Sequence, residues 1–232
     1  MEWRVKMRLR KLFGCIVVTL LCGMAYAAAP TLAHRWSFSG DYIDSVGGTS
    51  ATVIGSSVSF NDSNSAVVMY GDGNGAGSLN LGTDMLPPDA DELTLELWVT
   101  HNAVKNWARV LDYGSDNQNY LTLTWCEGTD ATKERVEIKK ANTSILACDC
   151  TLTTYAIDMP YHLSVTFKVN SNGSTFMRWM RRNASTGALE HVGAIDLPDW
   201  RLANIVAPKF YLGHSQYTPD FDANATYDEV RV

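Results

Sequence analysis

The stretch "YHLSVTFKV", residues 161–169, alternates without a break. Tyr161, Leu163, Val165, Phe167 and Val169 share one side of an extended chain, and His162, Ser164, Thr166 and Lys168 share the other. A period of two sustained over this length is a β-strand with one face buried and one face wet, as in an antiparallel sheet. The same period recurs on both sides of it. "LTLELWV" (93–99) aligns Leu93, Leu95, Leu97 and Val99, and "YLTLTW" (120–125) aligns Leu121, Leu123 and Trp125. "VEIKK" (136–140), "TFMRWM" (175–180) and "KFYLG" (209–213) are further strands. Turn chemistry separates them: "GDGNGAG" at 71–77, "LPPDAD" at 86–91, "YGSDNQN" at 113–119 and "NSNGS" at 170–174. Asn172-Gly173 between two alternating runs marks a hairpin. No segment keeps a helical period for three turns. The pattern predicts an all-β, antiparallel two-sheet sandwich in a single domain, residues 28–232.

The first residues read differently. "MEWRVKMRLRK" is basic, "LFGCIVVTLLCGMAYA" is apolar, and Ala25 and Ala27 provide a small-residue exit. This is the pattern of a secretory signal peptide over residues 1–27, its apolar run being shorter than the ~20 residues that span a bilayer. The expectation is a secreted chain with no membrane attachment after cleavage. Loss of five basic residues and one acidic residue would move the formal net charge from −6 to −10. A domain this acidic has no electrostatic reason to bind nucleic acid. Cys15 and Cys22 would leave with the leader, and the remaining three cysteines favour a disulfide from Cys126 to Cys148 or Cys150.

Five segments in order resemble the LamG-like jelly-roll domains of the concanavalin A-like lectin/glucanase group. "HRWSFSGDYIDSVGG" (34–48) is similar to the opening strand and loop, and "LTLELWV" to a Thr-x-Glu-x-Trp strand. "NWARVLDYGSDNQNYLTLTW" (106–125), "PYHLSVTF" (160–167) and "FYLGHSQYTPDFDANATYDEVRV" (210–232) match later segments. Thr226 stands where the family often has glycine. The resemblance implies a jelly-roll sandwich whose first and last strands lie side by side. It also implies a non-catalytic, lectin-like module for a carbohydrate or glycoprotein. The alternatives are an adhesive protein-interaction domain and, less favoured, a glycoside hydrolase. Related glucanases carry two carboxylates close together on one strand; here Glu96 stands alone, and Glu134 and Glu137 are three apart and so face opposite ways. Those two glutamates read as a solvated hairpin, and "RWMRR" (178–182) as a solvated face.

Two candidate sites follow. Aromatic rings on loops near amides and acids are the usual means of holding a glycan, and Trp107, Trp200 and Tyr217 are the candidates, Trp200 first because it follows a Pro-Asp turn. At the chain's two ends, Asp41, Asp44 and Asp228 could share a structural Ca²⁺ with a carbonyl near Gly40. Asp228 has the parity of Val230 and Val232, which places it on the core face, where a carboxylate needs a partner. The competing arrangement has Asp41 and Asp44 capping turns and Asp228 paired with an arginine such as Arg35.

Overall fold

The computed structural model describes residues 30–130, 132–141, 145–150 and 155–232, with residues 146–150 described by backbone alone. The leader expected at residues 1–27 and the side chains of Cys148 and Cys150 lie outside what is described. Leu32–Val232 form one compact unit. In chain order its strands are β1 (Arg35–Trp36), β2 (Thr52–Gly55), β3 (Val58–Phe60), β4 (Val67–Tyr70), β5 (Gly77–Thr83), β6 (Glu92–Ala103), β7 (Arg109–Asp116), β8 (Asn119–Thr124), β9 (Glu134–Lys139), β10 (Leu146–Cys150), β11 (Pro160–Val169), β12 (Thr175–Asn183), β13 (Leu189–Leu197), β14 (Lys209–Leu212) and β15 (Asn224–Arg231).

They form two antiparallel sheets. One is eight-stranded, in the order β13-β12-β11-β6-β15-β4-β3, with β1 also on β15; the other is seven-stranded, in the order β10-β9-β8-β7-β14-β5-β2. From β4 to β7, and again from β13 to β15, the chain crosses between sheets at every connection. The two ends of the domain therefore meet. Arg35 pairs with Arg231 and Trp36 with Val230, and the backbone N–H of Val232 donates to the carbonyl of His34 at 3.0 Å.

The alternation of the sequence fills the space between the sheets. Leu95, Leu97, Val165 and Met177 come from the larger sheet, and Leu79, Leu81, Leu111 and Leu121 from the smaller; all are fully buried. Each such side chain contributes about 1.5–3 kcal/mol relative to exposure. The Asn172-Gly173 hairpin joins β11 to β12, with Gly173 at φ +87° and its N–H donating to the Asn170 carbonyl at 2.9 Å.

Four expectations need correction. Asp228 is exposed and does not lie on the core face. The register of β15 against β6 shifts between Tyr227 and Glu229, so a bulge at Asp228 keeps both Tyr227 and Val230 inward and turns the carboxylate out. Arg181 is not on a solvated face; it is 1% exposed. It reaches from β12 to Glu134 on β9, 3.0 Å away, and stands 4.4 Å from the Tyr155 ring centroid. Glu134 and Glu137 do face opposite ways, but both are buried, because each meets a cation: Arg181 for Glu134, and Arg135 for Glu137 at 2.9 Å. Cys126 is a free, buried thiol that donates to the carbonyl of Lys105, with Sγ 2.9 Å from the oxygen, and forms no disulfide.

Candidate functional site

The calcium candidates do not converge. Asp44 is buried, and its Oδ1 accepts the backbone N–H of Arg35 at 2.8 Å, Val46 at 3.0 Å and Gly47 at 2.8 Å. Its Oδ2 lies 2.6 Å from His34 Nδ1. Asp41 is exposed and caps its own turn through the N–H of Ile43 at 3.0 Å. Arg35 pairs with Glu229 at 2.6 Å and leaves Asp228 aside. Among the described residues no cluster of three or more histidine, cysteine or acidic side chains is arranged to hold a metal ion. An Asp44 carboxylate saturated by N–H donors has no lone pair aimed at a cation, so these residues do not fit a calcium site.

The three aromatic candidates separate. Trp200 is 2% exposed. Its carbonyl accepts the Thr175 hydroxyl at 2.7 Å, its ring centroid stands 5.8 Å from that of Phe167, and the turn after it buries Leu202 and Ile205. It closes one end of the core and presents no ring to solvent. Trp107 and Tyr217, by contrast, are half-buried and come together around Arg109, whose guanidinium carbon lies 5.9 Å from the Trp107 ring centroid and 6.0 Å from that of Tyr217.

Local structure explains the meeting. Trp107 lies in the turn between β6 and β7 with φ +54°, a left-handed conformation that costs a non-glycine residue about 1–3 kcal/mol. Its N–H is fixed to the Gly128 carbonyl at 2.8 Å. The register of β7 against β8 shifts between Arg109 and Leu111, and that irregularity re-aims Arg109 as it enters the strand. Arg109 donates to Thr124 Oγ1 at 3.1 Å, to the Trp107 carbonyl at 3.1 Å and to Asp220 at 2.8 Å. Arg135 on β9, opposite Thr124, brings a second guanidinium to 5.7 Å from the Trp107 ring centroid.

Tyr217 belongs to the segment after β14, which is stapled to the outer face of the seven-stranded sheet. Gln216 donates to Asp112 through its N–H at 3.1 Å and its side-chain amide at 2.9 Å. Ser215 donates its hydroxyl to Asp220 at 2.7 Å. The Tyr217 hydroxyl donates to the Asn117 carbonyl at 3.1 Å and lies 2.9 Å from that of Tyr120, which in turn donates to Glu137. Burial pushes the Asp220 and Asp112 carboxyls up from their ordinary values, opposed at Asp220 by Arg109 and Ser215 and at Asp112 by the Gln216 amide and Arg109. The result is a surface of two partly exposed rings on a rigid, hydrogen-bonded polar floor.

Arg109, Arg135 and Tyr120 are members of this surface that the sequence did not single out, and Glu137, read there as part of a solvated hairpin, is buried in its floor. The outward parity of Arg135 and Glu137 on "VEIKK" and its flank was the one available signal. A second outward aromatic, Trp98 on β6, is already occupied. His162 on β11 stacks on it at 4.3 Å, and Arg231 on β15 lies 4.7 Å from its ring centroid. Since β11 and β15 flank β6 on opposite sides, both faces of the indole are covered.

No protein-family model and no curated protein matches the sequence. Solved structures do match in fold. Domain 4 of AbnA, a GH43 extracellular arabinanase from Geobacillus stearothermophilus, solved in complex with arabinotriose, is 18% identical with a TM-score of 0.60, covering 86% of this chain and 90% of that one. A botulinum neurotoxin type C structure, described for cell entry dependent on two ganglioside molecules, is 10% identical with a TM-score of 0.56 over 86% of this chain and 46% of that one. This chain thus spans about half of the toxin chain. The CBM2 module of the Lactobacillus casei BL23 phage J-1 evolved Dit is 9% identical with a TM-score of 0.52, covering 86% and 94%. At these identities the likeness is one of fold, and the fold is the antiparallel two-sheet β-sandwich that such binding modules share.

Proposed function

We propose that the protein is a secreted, non-catalytic, lectin-like module of the LamG-like jelly-roll kind. It binds a carbohydrate, free or on a glycoprotein, on the outer face of the seven-stranded sheet. One observation carries this reading: Trp107 and Tyr217 are both part-exposed and both stand within 6.0 Å of the Arg109 guanidinium, with Trp107 fixed in a strained backbone conformation. Strain of that kind persists only where surrounding contacts enforce it, and it gathers at binding sites. Partly exposed rings over oriented hydrogen-bonding groups suit the alternating apolar and hydroxyl faces of a sugar. Support also comes from the fold neighbours, one of them solved with arabinotriose. The basic and apolar leader supports export. Glu134 and Glu137 on opposite faces, each in its own ion pair, support binding without hydrolysis.

The test is a glycan array followed by calorimetric titration of the best ligand. Trp107→Ala and Tyr217→Ala should each weaken binding about tenfold or more, the loss typical of a central aromatic contact. Trp98→Ala, on the other sheet, should leave affinity unchanged. Absence of binding to every glycan, or equal loss with Trp98→Ala, would sink the reading.

A further inference from the structure

Resting on the carbohydrate reading above, we infer that the Trp107–Tyr217 surface takes uncharged oligosaccharides and rejects acidic ones. Recognition of a carboxylate or sulfate group requires a cation whose charge is not already committed, because the anion's desolvation must be offset. The cations here are committed. Arg109 is 2.8 Å from Asp220. Arg135 is 2.9 Å from Glu137 and 3.3 Å from Glu127. Lys105 is paired with Asp72, and Lys133 stands 3.8 Å from Glu127 and 3.9 Å from Asp130. At the far end, Lys139 donates to the Asn117 carbonyl at 3.4 Å, beside the Tyr217 hydroxyl that uses the same oxygen.

Lys105, Arg109, Lys133 and Arg135 are paired with Asp72, Asp220, Glu127, Asp130 and Glu137; Lys139, whose partner is a neutral carbonyl, brings the count to five charges of each sign, so the patch has no positive excess. Asp116, exposed at the end of β7, tips it negative. The chain as a whole carries a formal charge of −6, which becomes −10 without the expected leader, and this too disfavours an anionic ligand. Carboxylates fixed in ion pairs still have lone pairs for hydroxyl donors, and neutral sugars supply those donors.

The experiment uses the full chain and matched oligosaccharides that differ only in carrying a sialic acid, a uronate or a sulfate. Neutral members should bind, their acidic counterparts should bind at least about tenfold more weakly, a difference near 1.4 kcal/mol, and the affinity for the neutral ligand should be flat with ionic strength. Tighter binding of the acidic members, or strong salt dependence, overturns the inference and leaves the carbohydrate reading standing. Binding to none removes both. Glu127→Gln takes the shared partner from Arg135 and Lys133 at a part-exposed turn, so it should narrow the discrimination with the fold intact. Unchanged discrimination in a folded Glu127→Gln protein also overturns the inference.

Discussion

The Asp44 carboxylate gathers three backbone N–H groups on one oxygen and His34 on the other. Burial alone would push its carboxyl up. The donors from Arg35, His34, Gly47 and Val46 outweigh burial and hold it below the ordinary carboxylate value. A carboxyl depressed in the folded state stabilises at pH values above its unfolded value, and that stabilisation is lost as the pH falls through the folded one. Asp44→Ala should therefore cost about 2–3 kcal/mol near neutral pH, as unpaired buried donors do. In urea melts repeated at about pH 3 and below, the gap from the parent should shrink; a gap independent of pH would show that packing, and not the charge, is what matters. Because Asp44 is already saturated, excess chelator and millimolar calcium should give the same Tm. A rise with calcium would mean that the loop rearranges to bind it.

At the scale of the element, the alternating pattern was fully legible where strands ran straight. "YHLSVTFKV" and "LTLELWV" became neighbouring strands β11 and β6, with Leu163 opposite Leu97 and Val165 opposite Leu95. It failed where a strand was irregular. A bulge adds a residue without marking the hydrophobic period, so parity assigned Asp228 to the core while the chain turned it out. The candidate site was legible in part for a related reason. Trp107, Trp200 and Tyr217 all follow polar or Pro-containing segments, and composition cannot say which loop folds over the core and which over the outer face of a sheet. Gly193 shows a constraint of the same scale. It sits opposite Trp179 on β12, and a Cβ there would lie 2.1 Å from Cε2 of that buried indole. The ring lies over the glycine and covers the place where an edge strand has no side chain. Gly193→Ala should destabilise by about 1–3 kcal/mol, the usual cost of overpacking. Pairing it with Trp179→Phe should recover part of the loss in thermal melts, and no recovery would point to the backbone of β13 instead.

For the whole molecule, the question is what joins the two sheets besides apolar contact. Tyr227 on β15 donates its hydroxyl to the Val110 carbonyl on β7 at 2.6 Å, and Arg181 on β12 meets Glu134 on β9 at 3.0 Å between Tyr155 and Tyr161. In sequence the run holding Arg181 reads as a solvated face, and its partner comes from the opposite sheet and could be known only once the topology was. Burial opposes the Arg181 charge, while Tyr155, Glu134, Tyr161 and Glu190 hold its proton more firmly than usual. A buried ion pair between layers need not be a net source of stability, because desolvation of both ions can cancel their attraction. Breaking it from one side is another matter. Glu134→Leu removes the nearer carboxylate of a buried guanidinium, leaving it Glu190 at 3.5 Å, and should cost about 3 kcal/mol in urea unfolding. Glu134→Leu combined with Arg181→Met removes both ions, fills similar volume, and should return to within about 1 kcal/mol of the parent. If the double variant instead loses as much as Glu134→Leu alone, or more, the pair and its two tyrosines hold the sheets together beyond what apolar packing supplies. The sandwich would then depend on a buried charge at the end of its core.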